Sequence, residues 1–191
     1  ILGEATVTRR SANHFYLLSA ASAELRDLDH LLQQVRASEQ VEIRNTTEER
    51  GVIVLAGPRA RDVLGSLTDA SLENAAFPWR SAQEIGIAGV TTLALRINYV
   101  GELGWELHPA MADLPSLYAA IWAAGEAHGI ADFGLYALNS LRMEKAYRGW
   151  GAELTNEVTM LEADMARFFG SSKEDFVGKT ATETGEAGPL R

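Results

Sequence analysis

The stretch Asn98-Tyr99-Val100-Gly101-Glu102-Leu103-Gly104-Trp105-Glu106-Leu107 joins two segments in which apolar and polar residues alternate. In the upstream segment, large apolar or aromatic residues occupy every second position, namely Leu93, Leu95, Ile97 and Tyr99. The positions between them are Thr92, Ala94, Arg96 and Asn98. Two glycines three positions apart then interrupt the alternation. Trp105 and Leu107 resume it, with Glu106 and His108 on the opposite face. The pattern predicts a turn between two strands, the second of which presents a carboxylate.

Two interpretations of this carboxylate follow from the pattern. A carboxylate fixed on a strand can accept two charge-assisted hydrogen bonds at once from a planar heterocycle with adjacent N–H and amino groups. The same spacing is more typical of an ordinary hairpin whose Glu102 and Glu106 lie in solvent, because a Gly-x-x-Gly turn is a weak signal of a binding site.

Composition excludes several classes of protein. The 191 residues are 47% hydrophobic and 23% charged, which is enough for one sizeable core and is not typical of disorder. The net charge of −9 argues against a nucleic-acid partner. Without cysteine there is no disulfide, thiolate metal site or cysteine nucleophile, and the four histidines lack metal-ligand spacing. No apolar run approaches the ~20 residues that cross a membrane, so we expect no membrane partner.

The predicted elements alternate strand pairs with helices. Strands are expected at 4–10, 14–19, 41–45, 51–55, 81–87, 90–98 and after Gly104, and helices at 22–36, 57–67, from Asp113 to Gly129, and at 134–147. This order predicts an α+β fold with mixed, largely antiparallel sheets flanked by helices, forming one domain over 1–180 with a loose tail over 181–191. We expect Tyr118 and Trp122 in the core, and Arg142 either in an ion pair with Glu144 or against a ligand.

Several segments together resemble the aminomethyltransferase family. The 99–106 segment resembles its Tyr-Thr-Gly-Glu-x-Gly-x-Glu signature, and 41–47, 55–64 and 132–146 resemble further blocks. The family comprises the T-protein of the glycine cleavage system and the folate-binding domains of dimethylglycine and sarcosine dehydrogenases. The forms Gly-Glu-Leu-Gly-Trp-Glu-Leu and Tyr-Ala-Leu-Asn are similar to the dimethylglycine dehydrogenase branch. The resemblance implies a T-protein-like folate-binding fold.

The resemblance also implies site residues. Those expected to bind the folate are Gly3, Glu4, Ala5, Tyr99, Glu106, Leu107 and His108. Glu106 would hold N3–H and the 2-amino group of tetrahydrofolate, and Glu4 would be the catalytic carboxylate. Three departures matter. Glu4 replaces an aspartate and shifts the charge by about 1.5 Å, Val100 replaces a threonine, and Leu138 replaces an arginine that would hold the folate tail.

The implied chemistry is one-carbon transfer to tetrahydrofolate from an iminium or formaldehyde donor. FAD is expected only in a separate domain or partner, an FAD-dependent amine dehydrogenase, because no dinucleotide fingerprint is present. The implied location is the bacterial cytoplasm or the mitochondrial matrix. A non-catalytic folate-binding or scaffold domain that kept the fold is the alternative. We also expect the chain to be a piece of a longer protein, since it starts inside a predicted strand.

Overall fold

A four-stranded antiparallel sheet and a separate two-stranded hairpin organise the protein, and the computed structural model describes residues 1–170 and 172–184. The strands are β1 (Ala5–Ser11), β2 (His14–Ser19), β3 (Ile53–Ala56), β4 (Ala82–Ile87), β5 (Val90–Leu95) and β6 (Gly104–His108). The helices are α1 (Glu24–Gln34), α2 (Ala60–Gly65), α3 (Leu114–Gly125), α4 (Leu135–Glu144) and α5 (Lys179–Thr184). Strands β1 and β2 pair with each other, and the larger sheet has the order β3-β6-β5-β4.

Strand β6 lies inside the larger sheet and has two different faces. It pairs with β3, where Val54 lies opposite Glu106, and with β5, where Leu95 lies opposite the same residue. Because side chains alternate across a strand, Trp105 and Leu107 project to one face and Glu106 to the other. The alternation predicted for this strand is confirmed.

The apolar core lies on the Trp105 face of the sheet. Helices α2 and α3 cover this face, and the buried cluster consists of Leu55, Ala60, Val63, Leu64, Leu72, Phe77, Ile85, Ile87, Ala94, Trp105, Leu107, Leu117 and Ile121. Phe77 packs edge-on against Trp105, with ring centroids 6.2 Å apart. This packing fixes the position of β6 and therefore the direction in which Glu106 points.

The β1–β2 hairpin contacts the opposite face of the sheet. Arg10 of β1 forms a 2.7 Å ion pair with Glu84 of β4. Further along the sheet, the Tyr16 hydroxyl lies 3.3 Å from the Nδ1 atom of His108. Glu106 therefore lies on a sheet face that the hairpin partly covers.

The α+β prediction with largely antiparallel sheets is confirmed. The strand predicted at 41–45 is wrong, since these residues form no ladder. Instead the Asn45 side chain accepts a hydrogen bond from the Thr47 N–H at 2.9 Å and donates to Glu24 at 2.6 Å, and turn formation replaces strand pairing. The strand predicted at 90–98 ends at Leu95.

The C-terminal part of the chain contains the short helix α5 where the sequence predicted the start of a loose tail. The rest of that predicted tail, 185–191, lies outside the described residues. The boundary at 180 stays a prediction. In the described part of the chain, no helix has the length and apolar character needed to cross a membrane.

Candidate functional site

The turn that precedes β6 is built by one side chain. The Asn98 carboxamide oxygen accepts hydrogen bonds from the Val100 and Gly101 N–H groups at 3.0 and 2.9 Å. The Asn98 amide donates to the Glu102 carbonyl at 2.6 Å. Gly101 has φ of 73°, a left-handed conformation that glycine adopts without strain. These contacts end β5 early and set the position at which β6 begins.

Glu106 lies on the sheet face beneath the hairpin, with its side chain 22% exposed. Within the residues that the structure describes, its carboxylate accepts no hydrogen bond, and its Oε2 atom lies 3.7 Å from the Nε2 atom of His108. Partly buried carboxylates usually have hydrogen-bond donors. The acceptor capacity of Glu106 is therefore available to a ligand.

His108 is fully buried beside Glu106. Its ring meets Tyr16 edge to face, with centroids 5.6 Å apart and planes at 89°. Nδ1 lies 3.3 Å from the Tyr16 hydroxyl, whereas Nε2 has no hydrogen-bond partner among the described residues. Arg50 donates to the His108 carbonyl at 3.1 Å. Burial raises the pKa of Tyr16, so its phenol keeps its proton well beyond neutral pH.

A second group of predicted residues lines a cavity of about 390 Å³ between the start of the hairpin and α1. Gly3, Glu4 and Ala5 form one wall, and side chains of α1 form another. Although Glu4 as a residue is exposed, partial burial of its carboxyl raises the pKa, and a hydrogen bond from the Trp150 N–H opposes that shift. Glu4 is thus a carboxyl whose affinity for a proton is increased.

Tyr99 lies near Glu4 and is held by the loop that follows α4. Its hydroxyl donates to the Arg148 carbonyl at 2.6 Å, and its ring stacks on Tyr147 with centroids 6.2 Å apart. Burial raises the pKa of Tyr99, the charge of Arg142 lowers it, and Glu4 raises it further. The structure therefore brings Tyr99 and Glu4 into one electrostatic environment.

Arg142 holds this loop in place. The side chain is buried on α4 and donates to Asn139, to the Tyr147 carbonyl at 2.8 Å and to Glu153 at 2.7 Å. Glu153 also accepts from the Gly149 N–H at 2.8 Å. The ion pair predicted between Arg142 and Glu144 is wrong: Arg142 pairs with Glu153 instead, because the loop folds back over the helix. Hydrogen bonding from Arg142 lowers the pKa of Glu153.

A larger cavity of about 690 Å³ lies beside β3, α2 and α3. Tyr118 and Trp122 stack there, with centroids 6.1 Å apart, and the Tyr118 hydroxyl donates to Asp132 at 2.8 Å. Tyr118 is 42% exposed, so the prediction that it belongs to the core is wrong: its hydroxyl has a polar partner at the surface. Leu138, which replaces the expected tail-binding arginine, also lines this cavity.

The predicted site residues thus fall into two groups. Glu106 and His108 lie beneath β2, and Gly3, Glu4, Ala5 and Tyr99 lie near the start of β1. Tyr16 of β2 pairs with Thr8, four residues after Glu4, so both groups lie against the same hairpin.

Leu107 does not join either group. Its side chain is fully buried in the core, on the opposite face from Glu106, so it supports the strand and does not face a ligand beside Glu106.

Tyr16 and Glu153 contact the predicted residues although sequence reasoning gave neither a role, and Arg142, expected in an ion pair with Glu144 or against a ligand, instead holds the loop near Tyr99. The alternation of β2 places Tyr16 on one face of the hairpin, but no local signal shows that this face meets His108. Likewise, no spacing rule connects Arg142 with a residue 11 positions later in an irregular loop. Among the described residues, no group of three or more potential metal ligands lies close enough to hold an ion.

Comparison with known proteins relates the chain to dimethylglycine and sarcosine dehydrogenases and to an aminomethyltransferase. Residues 1–173 match a family model described as the GCVT N-terminal domain. The mitochondrial dimethylglycine dehydrogenase of Mus musculus is 42% identical over 183 residues, which are 95% of this chain and 21% of that protein. The mitochondrial sarcosine dehydrogenase of Homo sapiens is 35% identical over 93% of this chain and 20% of its own length. An aminomethyltransferase of Listeria welshimeri is 34% identical over 92% of this chain and 47% of its own length.

The chain therefore spans about a fifth of the length of the dehydrogenases that it matches and about half of the aminomethyltransferase. A solved structure, heterotetrameric sarcosine oxidase from Corynebacterium sp. U-96 in complex with pyrrole 2-carboxylate, has a similar fold. Its TM-score is 0.55 at 22% identity, covering 70% of this chain and 69% of that chain. At this identity the likeness concerns the fold alone.

Proposed function

This chain belongs to the GCVT N-terminal domain family, and on that premise we propose that it binds tetrahydrofolate and serves one-carbon transfer as a module of a dimethylglycine or sarcosine dehydrogenase. The relatives named as dehydrogenases and as an aminomethyltransferase support this reaction class. Amine oxidation would take place on FAD in a separate domain or partner. The mitochondrial and bacterial relatives are consistent with the matrix or a bacterial cytoplasm as its location.

The observation that carries the proposal is the state of Glu106. Its carboxylate is partly buried on a rigid strand and, within the described residues, accepts no hydrogen bond. The pterin edge of tetrahydrofolate presents an N–H and an amino group side by side. A carboxylate matches that pair with two parallel charge-assisted hydrogen bonds, and both groups remain planar.

The second group of residues suits the proton transfers of the reaction. Bound tetrahydrofolate would supply the nucleophilic nitrogens that take up a one-carbon unit from an iminium or formaldehyde. Glu4, whose pKa is raised by burial, would accept a proton there and stabilise a positive charge. Tyr99, anchored to the Arg148 carbonyl, would form the neighbouring wall.

A binding experiment tests the role of Glu106. In the natural full-length protein, Glu106→Gln should weaken the binding of 5-formyl-tetrahydrofolate in calorimetry. Loss of a charge-assisted hydrogen bond costs about 1.5–3 kcal/mol, which corresponds to about 10- to 150-fold in Kd.

Glu102→Gln is the matched control, because Glu102 lies in the preceding turn and pairs with Lys145 at 3.7 Å. Its Kd should not change. Equal Kd values for Glu106→Gln and the parent protein would refute the assignment.

Substitution of Glu4 distinguishes a catalytic domain from the alternative, a binding or scaffold domain without catalysis. If the domain is catalytic, Glu4→Ala in the full-length protein lowers the formation of methylene-tetrahydrofolate while amine oxidation continues at nearly the same rate. If the domain only binds folate, both rates stay unchanged. Equal loss of both rates would assign Glu4 a purely structural role.

A further inference from the structure

We propose that His108 and Tyr16 form a positioning pair for Glu106: Tyr16 fixes the tautomer of His108, and the Nε2–H of His108 then orients the Glu106 carboxylate toward its ligand. The choice of a reduced folate as the ligand in the binding experiment rests on the proposed function. The arrangement of the three side chains follows from distances within the protein itself.

The first observation is the burial of an unpartnered nitrogen. His108 is 0% exposed, and its Nε2 atom has no hydrogen-bond partner among the described residues. Buried nitrogens of this kind are nearly always paired in folded proteins. The Glu106 Oε2 atom lies 3.7 Å away, just beyond hydrogen-bond distance. The proposed hydrogen bond requires the carboxylate to rotate until this distance falls within hydrogen-bond range.

The second observation is the contact on the other side of the imidazole ring. The Tyr16 hydroxyl lies 3.3 Å from Nδ1, and its ring packs edge to face on the imidazole. When this hydroxyl donates to Nδ1, the single proton of the neutral imidazole must lie on Nε2. The raised pKa of Tyr16 keeps that donor protonated. Nε2–H is then directed at the Glu106 carboxylate.

The remaining charges around the pair do not compete for these atoms. Arg50 donates to the backbone carbonyl of His108, and Arg10 is paired with Glu84 at 2.7 Å. A carboxylate oxygen has two lone pairs, so Glu106 Oε2 can accept from His108 and from a ligand together. The imidazole would thus restrict the carboxylate to one orientation before a ligand arrives, which reduces the entropy lost on binding.

Amide substitutions separate the two nitrogens of His108. The side-chain nitrogen of His108→Gln reaches the Nε2 position, whereas that of His108→Asn reaches only the Nδ1 position, and His108→Leu offers neither. In the full-length protein, His108→Gln should bind 5-formyl-tetrahydrofolate within about threefold of the parent Kd. His108→Asn and His108→Leu should each lose about tenfold, the change expected on losing one hydrogen bond to a charged group. A structural role alone would make affinity follow thermal stability, irrespective of which nitrogen is retained.

The tautomer is measured without any ligand. Nitrogen-15 NMR of the histidine side chains in the folate-free protein should show His108 with its proton on Nε2, and Tyr16→Phe should shift population toward Nδ1–H. A proton on Nδ1 in the parent protein, or equal Kd values for His108→Gln and His108→Asn, would overturn the proposal. If the parent protein binds no reduced folate, the proposed function fails, while the NMR measurement still decides whether the pair exists.

Discussion

Leu107→Ala tests whether one face of β6 stabilises the core while the opposite face binds the ligand. Leu107 is fully buried on the core face of the strand, whereas Glu106 projects to the opposite face. Truncating a buried leucine costs about 2–5 kcal/mol, because the lost burial is joined by a residual cavity. For a domain of this size, each kcal/mol lowers Tm by about 2–4 °C. The expected loss is therefore about 4–20 °C.

The assay is thermal and urea unfolding, followed by the fluorescence of the tryptophans, one of which packs in the same core. Glu106→Gln, at the residue directly before Leu107, is the matched variant. Its Tm should change by no more than about 2 °C, as expected for a substitution outside the core. At a temperature where the folded state dominates, Leu107→Ala should bind 5-formyl-tetrahydrofolate with the parent Kd. A loss of stability below about 1 kcal/mol, or a tenfold weaker Kd for the folded Leu107→Ala protein, would refute the assignment of the two faces.

Three further outcomes follow from local geometry and charge. Burial raises the pKa of Glu4, so the folded protein loses stability as the pH rises from the ordinary glutamate pKa through the raised one. Glu4→Gln should remove this pH-dependent loss from the free energy of unfolding. Arg142 lowers the pKa of Glu153, so the ion pair between them stabilises the fold at neutral pH, and this stabilisation is lost as the pH falls through the lowered pKa. Glu153→Gln should therefore be less stable than the parent protein at pH 7, and the two stabilities should converge in acid. Gly104→Ala should lower Tm, because a Cβ there would lie 2.6 Å from the Leu55 carbonyl oxygen in the paired strand; an unchanged Tm would contradict the β3–β6 register.

Sequence patterns predicted the parts of the fold that depend on local alternation. The faces of β6 follow from the period of two, and the packing of Trp105 against Phe77 fixes which face is the core. The same pattern at 41–45 predicted a strand that does not form. A strand needs a partner, and Asn45 instead uses its side chain to close a turn.

The candidate site was predictable only in part, for a similar reason. The assignment of Glu106 and Glu4 to the site, which the resemblance implied, stays a prediction, whereas the faces of β6 exclude Leu107 from the wall that the resemblance implied. Tyr16 reaches His108 across 92 positions of sequence, and no local pattern encodes that contact.

The central claim is that Glu106 holds the pterin edge of a reduced folate. A crystal structure of the natural full-length protein with 5-formyl-tetrahydrofolate tests it most directly. The account predicts that N3 and the 2-amino nitrogen each lie about 2.7–2.9 Å from a Glu106 carboxylate oxygen, the length of a charge-assisted hydrogen bond. A pterin ring bound elsewhere, such as in the cavity lined by Tyr118 and Trp122, with Glu106 still without a ligand, would contradict it.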